Sequence, residues 1–324
     1  MTYPSPYQLL NYLSHDCWVS GPNLADKMGL SRTAIWKQVK KLQSNGVAIE
    51  NSHHGYRLSD SLILLNQSSI DSGIDAEWHE QGIELLVLPT IDSTNTYVKR
   101  HVKTKPWTVC VSEQQTAGRG RLGRSWASPF GENMYLSIAW RTTVSLAKLS
   151  GLSLAASLAL RNALRPWIDN LKVKWPNDLF WQGKKVAGCL VEVTAESHGN
   201  SLIVVGLGLN INTQTRDRPL SHLPHCSLRD IVKRSVNRNE IIVATINHCL
   251  HAFKQFEFQG LTPLQNTWKE ADYLYNQPIT IYQSQKQIQG IAKGINDLGH
   301  LLVEQENGLI EEISSGDATL NHPS

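Results

Sequence analysis

The chain opens with short apolar stripes broken by turn signals. Tyr7–Leu13 carries apolar residues at helical spacing, and Pro22–Met28 begins after Ser20-Gly21 and stops at Gly29. Ser31 can cap a third helix whose stripe is Ala34, Ile35, Val39 and Leu42, and Asn45-Gly46 ends it. Two β-like pieces follow, Val47–Glu50 and Tyr56–Leu58, joined by the polar segment Asn51–Gly55. Helix, helix, turn, helix, hairpin is the order of a winged helix-turn-helix, and we assign it to residues 1–65.

Ser59–Ala76 is rich in Ser, Asp, Asn and Gln and reads as a linker. Beyond it the period alternates. Strand-like runs (Leu85–Leu88, Val109–Ser112, Met134–Trp140, Leu190–Val193, Leu202–Val205) are interleaved with helical ones (Thr94–Val102, Leu146–Trp167, Arg238–Phe258). The pattern predicts a mixed α/β (α+β) domain over residues 66–270. In the tail, residues 271–324, short strands at Ile279–Tyr282, Ile288–Ile291 and Leu301–Gln305 are separated by turns such as Asn307-Gly308, which suits a small β-barrel.

Composition narrows the class. With 324 residues, 41% hydrophobic and 18% charged, the chain is an ordinary globular protein of two or three domains. A formal charge of +3 is too small for a nucleic-acid coat, so any such contact must come from local clusters. The greasy stretch Leu149–Leu164 is interrupted by Ser150, Gly151, Ser153, Ser157 and Arg161, short of the roughly 18–20 apolar residues of a membrane span. No basic n-region followed by an apolar h-region stands at the start. Five scattered cysteines without CxxC spacing fit reduced thiols, and the expected compartment is the cytoplasm. His222, His225 and Cys226, like His248, Cys249 and His251, lack the spacing of a common zinc site, so packing and surface roles are expected and no permanently bound metal.

The segment that carries chemistry is Gly118-Arg119-Gly120-Arg121-Leu122-Gly123-Arg124. Its glycines prevent regular structure, and its arginines, with no acid nearby in sequence, should repel one another and leave it mobile until an anion orders it. The literal GxGxxG is not a dinucleotide turn: Glu113–Ala117 intervenes after the strand, and Trp126–Gly131 with Pro129 follows instead of a helix.

Together with Ser93-Thr94-Asn95, Gln115, Lys174-Trp175-Pro176-Asn177-Asp178, Lys184-Lys185-Val186-Ala187-Gly188 and Gly206-Leu207-Gly208-Leu209-Asn210, in this order, the loop resembles the biotin–protein ligase family. The N-terminal helices make its bifunctional branch, the biotin–[acetyl-CoA-carboxylase] ligase that is also the biotin operon repressor, the closest. The resemblance implies a class II synthetase-like ligase domain followed by an SH3-like barrel. It implies activation of biotin with ATP and Mg²⁺ to biotinyl-5′-AMP, then transfer to a lysine of a biotin carboxyl carrier protein. Lys185 matches the lysine that bridges the biotin carboxylate and the phosphate, with Arg121 as its catalytic companion. Ser93, Thr94, Asn95, Gln115, Arg119 and Gly120 match the biotin segment. Gly118, Arg124, Trp126, Asn177, Asp178 and Asn210 fall to the ATP or adenylate side, with Asp178, helped by Asn177, the candidate for Mg²⁺. A lipoate–protein ligase and a biotin sensor without transfer are the rival readings. The phosphate-bridging cations count against the sensor, and the N-terminal module against the lipoate ligase.

Ser31–Lys41 holds Arg32, Lys37, Lys40 and Lys41 and no acid, opposite an apolar stripe. That suits a recognition helix, with Ser31, Arg32, Thr33, Trp36, Lys37 and Lys40 toward operator DNA. The wing reads His53-His54-Gly55-Tyr56 where the family's repressor has a lysine, so phosphate attraction there is weaker. A two-fold operator implies a homodimer when the adenylate is bound.

Overall fold

The apolar stripes of the first sixty residues close around one small core in the computed structural model, which describes residues 6–102, 105–196, 200–214, 224–283 and 286–321. A 3-10 helix, Pro6–Tyr12, precedes α1 (Gly21–Met28) and α2 (Arg32–Ser44), and the antiparallel hairpin β1 (Ile49–Ser52) and β2 (Gly55–Leu58) completes the unit. Ser20 and Ser31 cap the two α-helices by accepting from the backbone N–H of Asn23 and Ala34. Gly29 ends α1 at φ 63°, a left-handed turn that favours glycine. Leu9, Leu24, Ile35, Val39 and Leu42 fill the core, and Phe130 enters it from the next domain. The first expected helix is thus 3-10, and the first strand starts two residues later than its pattern, which tightens the wing's turn onto His53-His54.

The second half of the stretch read as linker is largely helical instead: α3 (Gln67–Gly73) and the start of α4 (Ala76–Glu80). Both are too short to show a stripe, yet Ile70, Ile74 and Trp78 anchor them in the main core. Residues 63–65 before them are strapped down. Arg238, fully buried, donates to the Ile63 carbonyl and pairs with Glu113 at 2.5 Å, and Glu113 also accepts from the Leu65 N–H. The buried pair is compensated because both charges also meet backbone groups.

The central sheet has seven strands: β3 (Ile83–Leu88), β4 (Trp107–Ser112), β5 (Met134–Thr142), β6 (Lys172–Lys174), β7 (Asp178–Trp181), β8 (Lys184–Ala195) and β9 (Ser201–Leu209). Their order is β3-β4-β5-β9-β8-β7-β6, with β3 and β4 parallel and the other pairs antiparallel. Helices α5 (Thr94–His101), α6 (Leu152–Ala163), α7 (Leu228–Val232), α8 (Arg238–Gln259) and α9 (Gln265–Ala271) accompany it, with α3 and α4 packed beside β3. The helix expected over Leu146–Trp167 is shorter, because Gly151 sits at φ 84° and separates a 3-10 turn, Leu146–Leu149, from α6. β6 and β7 escape pattern reading, being three and four residues long.

Strand alternation sorts the two faces. Met134, Leu136, Ile138 and Trp140 of β5 belong to the large core with α6 and α8, whereas Ala139 lies with Leu202 and Val204 of β9 under Val98 of α5. The same face of β9 continues past the start of α5 as Gly206 and Gly208. There the sheet has no side chains, and a cavity opens. The tail forms a five-stranded antiparallel sheet, β10 (Pro278–Tyr282), β11 (Gln287–Ile295), β12 (Leu301–Glu304), β13 (Ile310–Ile313) and β14 (Asp317–Leu320), ordered β13-β12-β11-β10-β14. Trp175 donates its indole N–H to the Gly299 carbonyl at 3.0 Å and seats this sheet beside the cavity. Among the described residues, no helix is long and apolar enough to cross a membrane.

Candidate active site and nucleic-acid interface

The cavity, about 170 Å³, gathers residues from both faces of the arginine segment. Ser93, Thr94, Asn95, Gln115, Arg119, Gly120, Arg121, Arg124, Trp126, Asn177, Asp178, Lys185 and Asn210, scattered over more than a hundred positions, all line it. Gly118 does not. It stands at the base of the loop, where a Cβ would lie 2.5 Å from the Trp126 carbonyl, so its role is to let the chain double back.

One end is a floor of neutral hydrogen-bonding groups. The Gln115 carbonyl oxygen accepts from the Thr94 N–H and hydroxyl at 2.9 and 3.1 Å, and its amide donates to Ser128. Ser137 joins Thr94 to Asn95, at 2.7 and 2.6 Å. Ser93 holds the N-cap position of α5 without a side-chain cap bond, so its hydroxyl is left to the cavity it lines. Gly206 is demanded here: a Cβ would fall 2.2 Å from the Asn95 oxygen. Beneath the floor, Glu192 binds Asn95 at 2.7 Å, Lys99 at 2.7 Å and Arg119 at 3.1 Å. Burial would raise its pKa, but the Lys99 and Asn95 bonds and the Lys99 and Arg119 charges hold it below the usual glutamate value.

The arginine segment is a hairpin, closed by backbone hydrogen bonds and by ion pairs to distant acids. Gly120 N–H donates to the Arg124 carbonyl at 2.7 Å and Trp126 N–H to Gly118 at 2.9 Å, with Leu122 at φ 54° on the exposed tip. The three arginines are not left to repel one another. Arg119 meets Glu192, while Arg121 and Arg124 share Asp317 of β14 at 3.6 and 2.5 Å. These acids lie 73 and 193–196 positions away in sequence, so no local reading finds them.

At the other end Lys185 pairs with Asp178 at 2.6 Å and stands 5.6 Å from the Trp126 ring. Trp126 lies flat on Gly208, where a Cβ would come within 2.5 Å of the indole. Asn210 points its amide at the Cys226 carbonyl. Asp178 keeps one buried oxygen, Oδ1, without a hydrogen-bond partner, whereas Asn177 has both amide ends engaged, by Arg121 and the Cys189 carbonyl. The donor set therefore fits a Mg²⁺ held by one carboxylate and substrate phosphates, with the Asn177 oxygen already accepting one bond from Arg121. Arg121 and Lys185 provide the cations that two approaching anions require.

The second surface is α2. Arg32, Thr33, Trp36, Lys37, Lys40 and Lys41 are exposed, Trp36 to 49%, and Ser31 serves as the cap. None of the four cations has a carboxylate partner among the described residues. In the wing the His53 and His54 rings lie 3.7 Å apart, and Arg57 covers Trp18 while pairing with Glu50.

Sequence reasoning missed Ser128, Ser137, Glu192 and Asp317. For Glu192 a signal existed, because period-two alternation puts it on the same side of β8 as the cavity residues Gly188 and Leu190. His222 lies outside the described residues. His225 lines the cavity, Cys226 and Cys249 are buried in the core, and His251 pairs with Asp75 and Glu77. Among the described residues no group of three His, Cys, Asp or Glu could hold a metal ion.

A winged helix ahead of an α/β cavity with paired cations at one end and neutral amide groups at the other defines a DNA-binding acyl-activating ligase. Residues 7–57 match the family model of an HTH domain, 87–210 that of the biotin/lipoate A/B protein ligase family and 275–320 the biotin protein ligase C-terminal domain. The chain is 35% identical over 318 residues to the bifunctional ligase/repressor BirA of Escherichia coli, covering 97% of each. It is 29% identical over 309 residues to BirA of Bacillus subtilis, covering 94% of each. A solved biotin protein ligase from Aquifex aeolicus, in complex with biotin and ATP, superposes with a TM-score of 0.63 at 26% identity, covering 74% of this chain and 99% of that one. The chain belongs to the biotin protein ligase family, with the domain order of its bifunctional ligase/repressors.

Proposed function

We propose that the protein joins biotin to ATP, releasing pyrophosphate, and passes the biotinyl group from the resulting adenylate to a carrier-protein lysine, releasing AMP. The observation that carries this reading is the polarity of one cavity: a neutral amide and hydroxyl floor suits an uncharged ureido ring, and Lys185 with Arg121 suits two meeting anions. In water two such charges at about 4 Å repel by about 1 kcal/mol, and more in a protein. Lys185 and Arg121 offset that repulsion as the carboxylate oxygen attacks the α-phosphorus. Asp178 orients Lys185 and, through its spare oxygen, would hold Mg²⁺, which supplies charge neutralisation of the triphosphate. Trp126 and Asn210 border the nucleotide, and the hairpin excludes water from the mixed anhydride.

The unpaired cations of α2 dock on the phosphates of operator DNA, and the adenylate-bound protein acts there as a homodimer and repressor, within the cytoplasm. The decisive experiment mixes the purified protein with biotin, ATP and Mg²⁺ and follows pyrophosphate release and bound biotinyl-AMP by mass spectrometry. Lipoate and a Lys185→Ala variant run in parallel. Adenylate from biotin alone, lost in the variant, is the expected result. Adenylate from lipoate instead would reassign the acid, and none from either would end the ligase reading.

A further inference from the structure

We propose that Glu192 is a positioning residue that latches the arginine hairpin to the cavity floor and sets how long an acyl adenylate is retained. The proposal rests on the ligase reading for the identity of the retained molecule, but the latch itself is read from contacts. Glu192 projects from β8 with its side chain 19% exposed, and it ties three elements together. Oε1 receives Lys99 of α5 at 2.7 Å. Oε2 receives Asn95 at 2.7 Å and Arg119 of the hairpin at 3.1 Å. Arg119 has one further side-chain bond, to Thr96 at 3.0 Å.

The hairpin therefore hangs between two carboxylates. Asp317 holds Arg121 and Arg124 at the nucleotide end, and Glu192 holds Arg119 at the floor end. A carboxylate is needed at position 192, because only it offers one oxygen to Lys99 and another to Asn95 and Arg119. Lys99 has a separate duty. It neutralises a charge that would otherwise sit half-buried beneath a neutral floor, and it does not touch the hairpin. The latch is also of suitable strength. Arg119 is 45% exposed, so its pair is a weak one, enough to bias the hairpin shut and still let an acceptor lysine in.

The test uses the full chain with two readouts. Ligand-free protein is cut with trypsin, and cleavage after Arg119 is timed. Protein loaded with biotin, ATP and Mg²⁺ is then diluted, and release of biotinyl-AMP is followed. Glu192→Gln should speed both by about fivefold, the upper range for an exposed ion pair. Lys99→Met, which spares the Arg119 contact, should match wild type in both. Thr96→Val removes the other acceptor of Arg119 and should speed cleavage by about twofold, which keeps the test open if Glu192→Gln fails to fold.

Wild-type rates in Glu192→Gln would overturn the latch, as would equal acceleration by Lys99→Met, which would indicate general loosening. Faster cleavage with unchanged release would overturn the retention role alone. If wild type forms no adenylate, the ligase reading fails, while the cleavage contrast still decides whether Glu192 holds the hairpin.

Discussion

The α2 face and the arginine hairpin are both rich in cations, yet they are built on opposite principles. Arg32, Lys37, Lys40 and Lys41 stand on a regular helix in full solvent with no acid beside them. Arg119, Arg121, Arg124 and Lys185 stand around a cavity, and each is held by a carboxylate: Arg119 by Glu192, Arg121 and Arg124 by the shared Asp317, Lys185 by Asp178. Bare surface cations suit a polyanion that arrives with its own counterions, whose release drives binding. Held cations suit a small anion, because their geometry is fixed before it arrives and a phosphate can replace the resident acid. The same residue types, then, serve two tasks, and the partner acids distinguish them.

The strongest way to break this comparison is at Lys185. Lys185→Ala should lower adenylate formation by about 10²–10³-fold while DNA binding without ligand is unchanged. If pyrophosphate release survived, the held cations would be structural only. Gly208→Ala comes next. Its Cβ must displace Trp126, so nucleotide binding should weaken by about tenfold by calorimetry, about 1.4 kcal/mol, with the melting temperature little changed.

On the other side, Lys37→Ala with Lys40→Ala should lower the slope of log affinity against log salt by about 1.8 for two lost phosphate contacts. Adenylation should be unaffected. A smaller effect separates the two regions by pH. Against burial, the Lys99 and Asn95 bonds hold the Glu192 pKa below the ordinary glutamate value of 4.5, so its contribution is present above that value and lost as pH falls through the lower folded pKa. Hydrogen exchange in residues 118–124 should therefore stay protected down to about pH 4.5 and open below it. Loss of protection near neutrality would contradict the pairing. The smallest effect is in the wing: His54→Lys should tighten DNA binding by a few fold and steepen the salt slope by about 0.9.

How much of this was legible in the sequence follows the same divide. The α2 cations could be read directly, because helix periodicity alone separates Lys37 and Lys40 from Ile35 and Val39. The cavity residues were also found, since they lie in compact motifs whose combination points to one family. Their partner acids were not. Asp317 is an ordinary residue of a four-residue strand, and only the packing of the C-terminal sheet brings it to the hairpin. The expected repulsion among the hairpin arginines left these acids out for the same reason. The linker reading failed because α3 and α4 are shorter than the window in which a stripe can be seen, so Ile70 and Trp78 looked isolated.

Phe130 belongs by position to the ligase domain but sits in the core of the winged helix, stacked on Tyr7 at 5.2 Å. Beside it, Gln114 bonds to the Asn45 carbonyl at the end of α2, one residue before Gln115 enters the cavity floor. For anyone cutting or recombining this protein, the seam between the parts does not run where the chain crosses from one to the other. A ligase fragment made by deleting the first sixty-odd residues would carry a naked aromatic ring and a widowed amide on its surface. A graft of the winged helix onto another enzyme would have to bring its own phenylalanine.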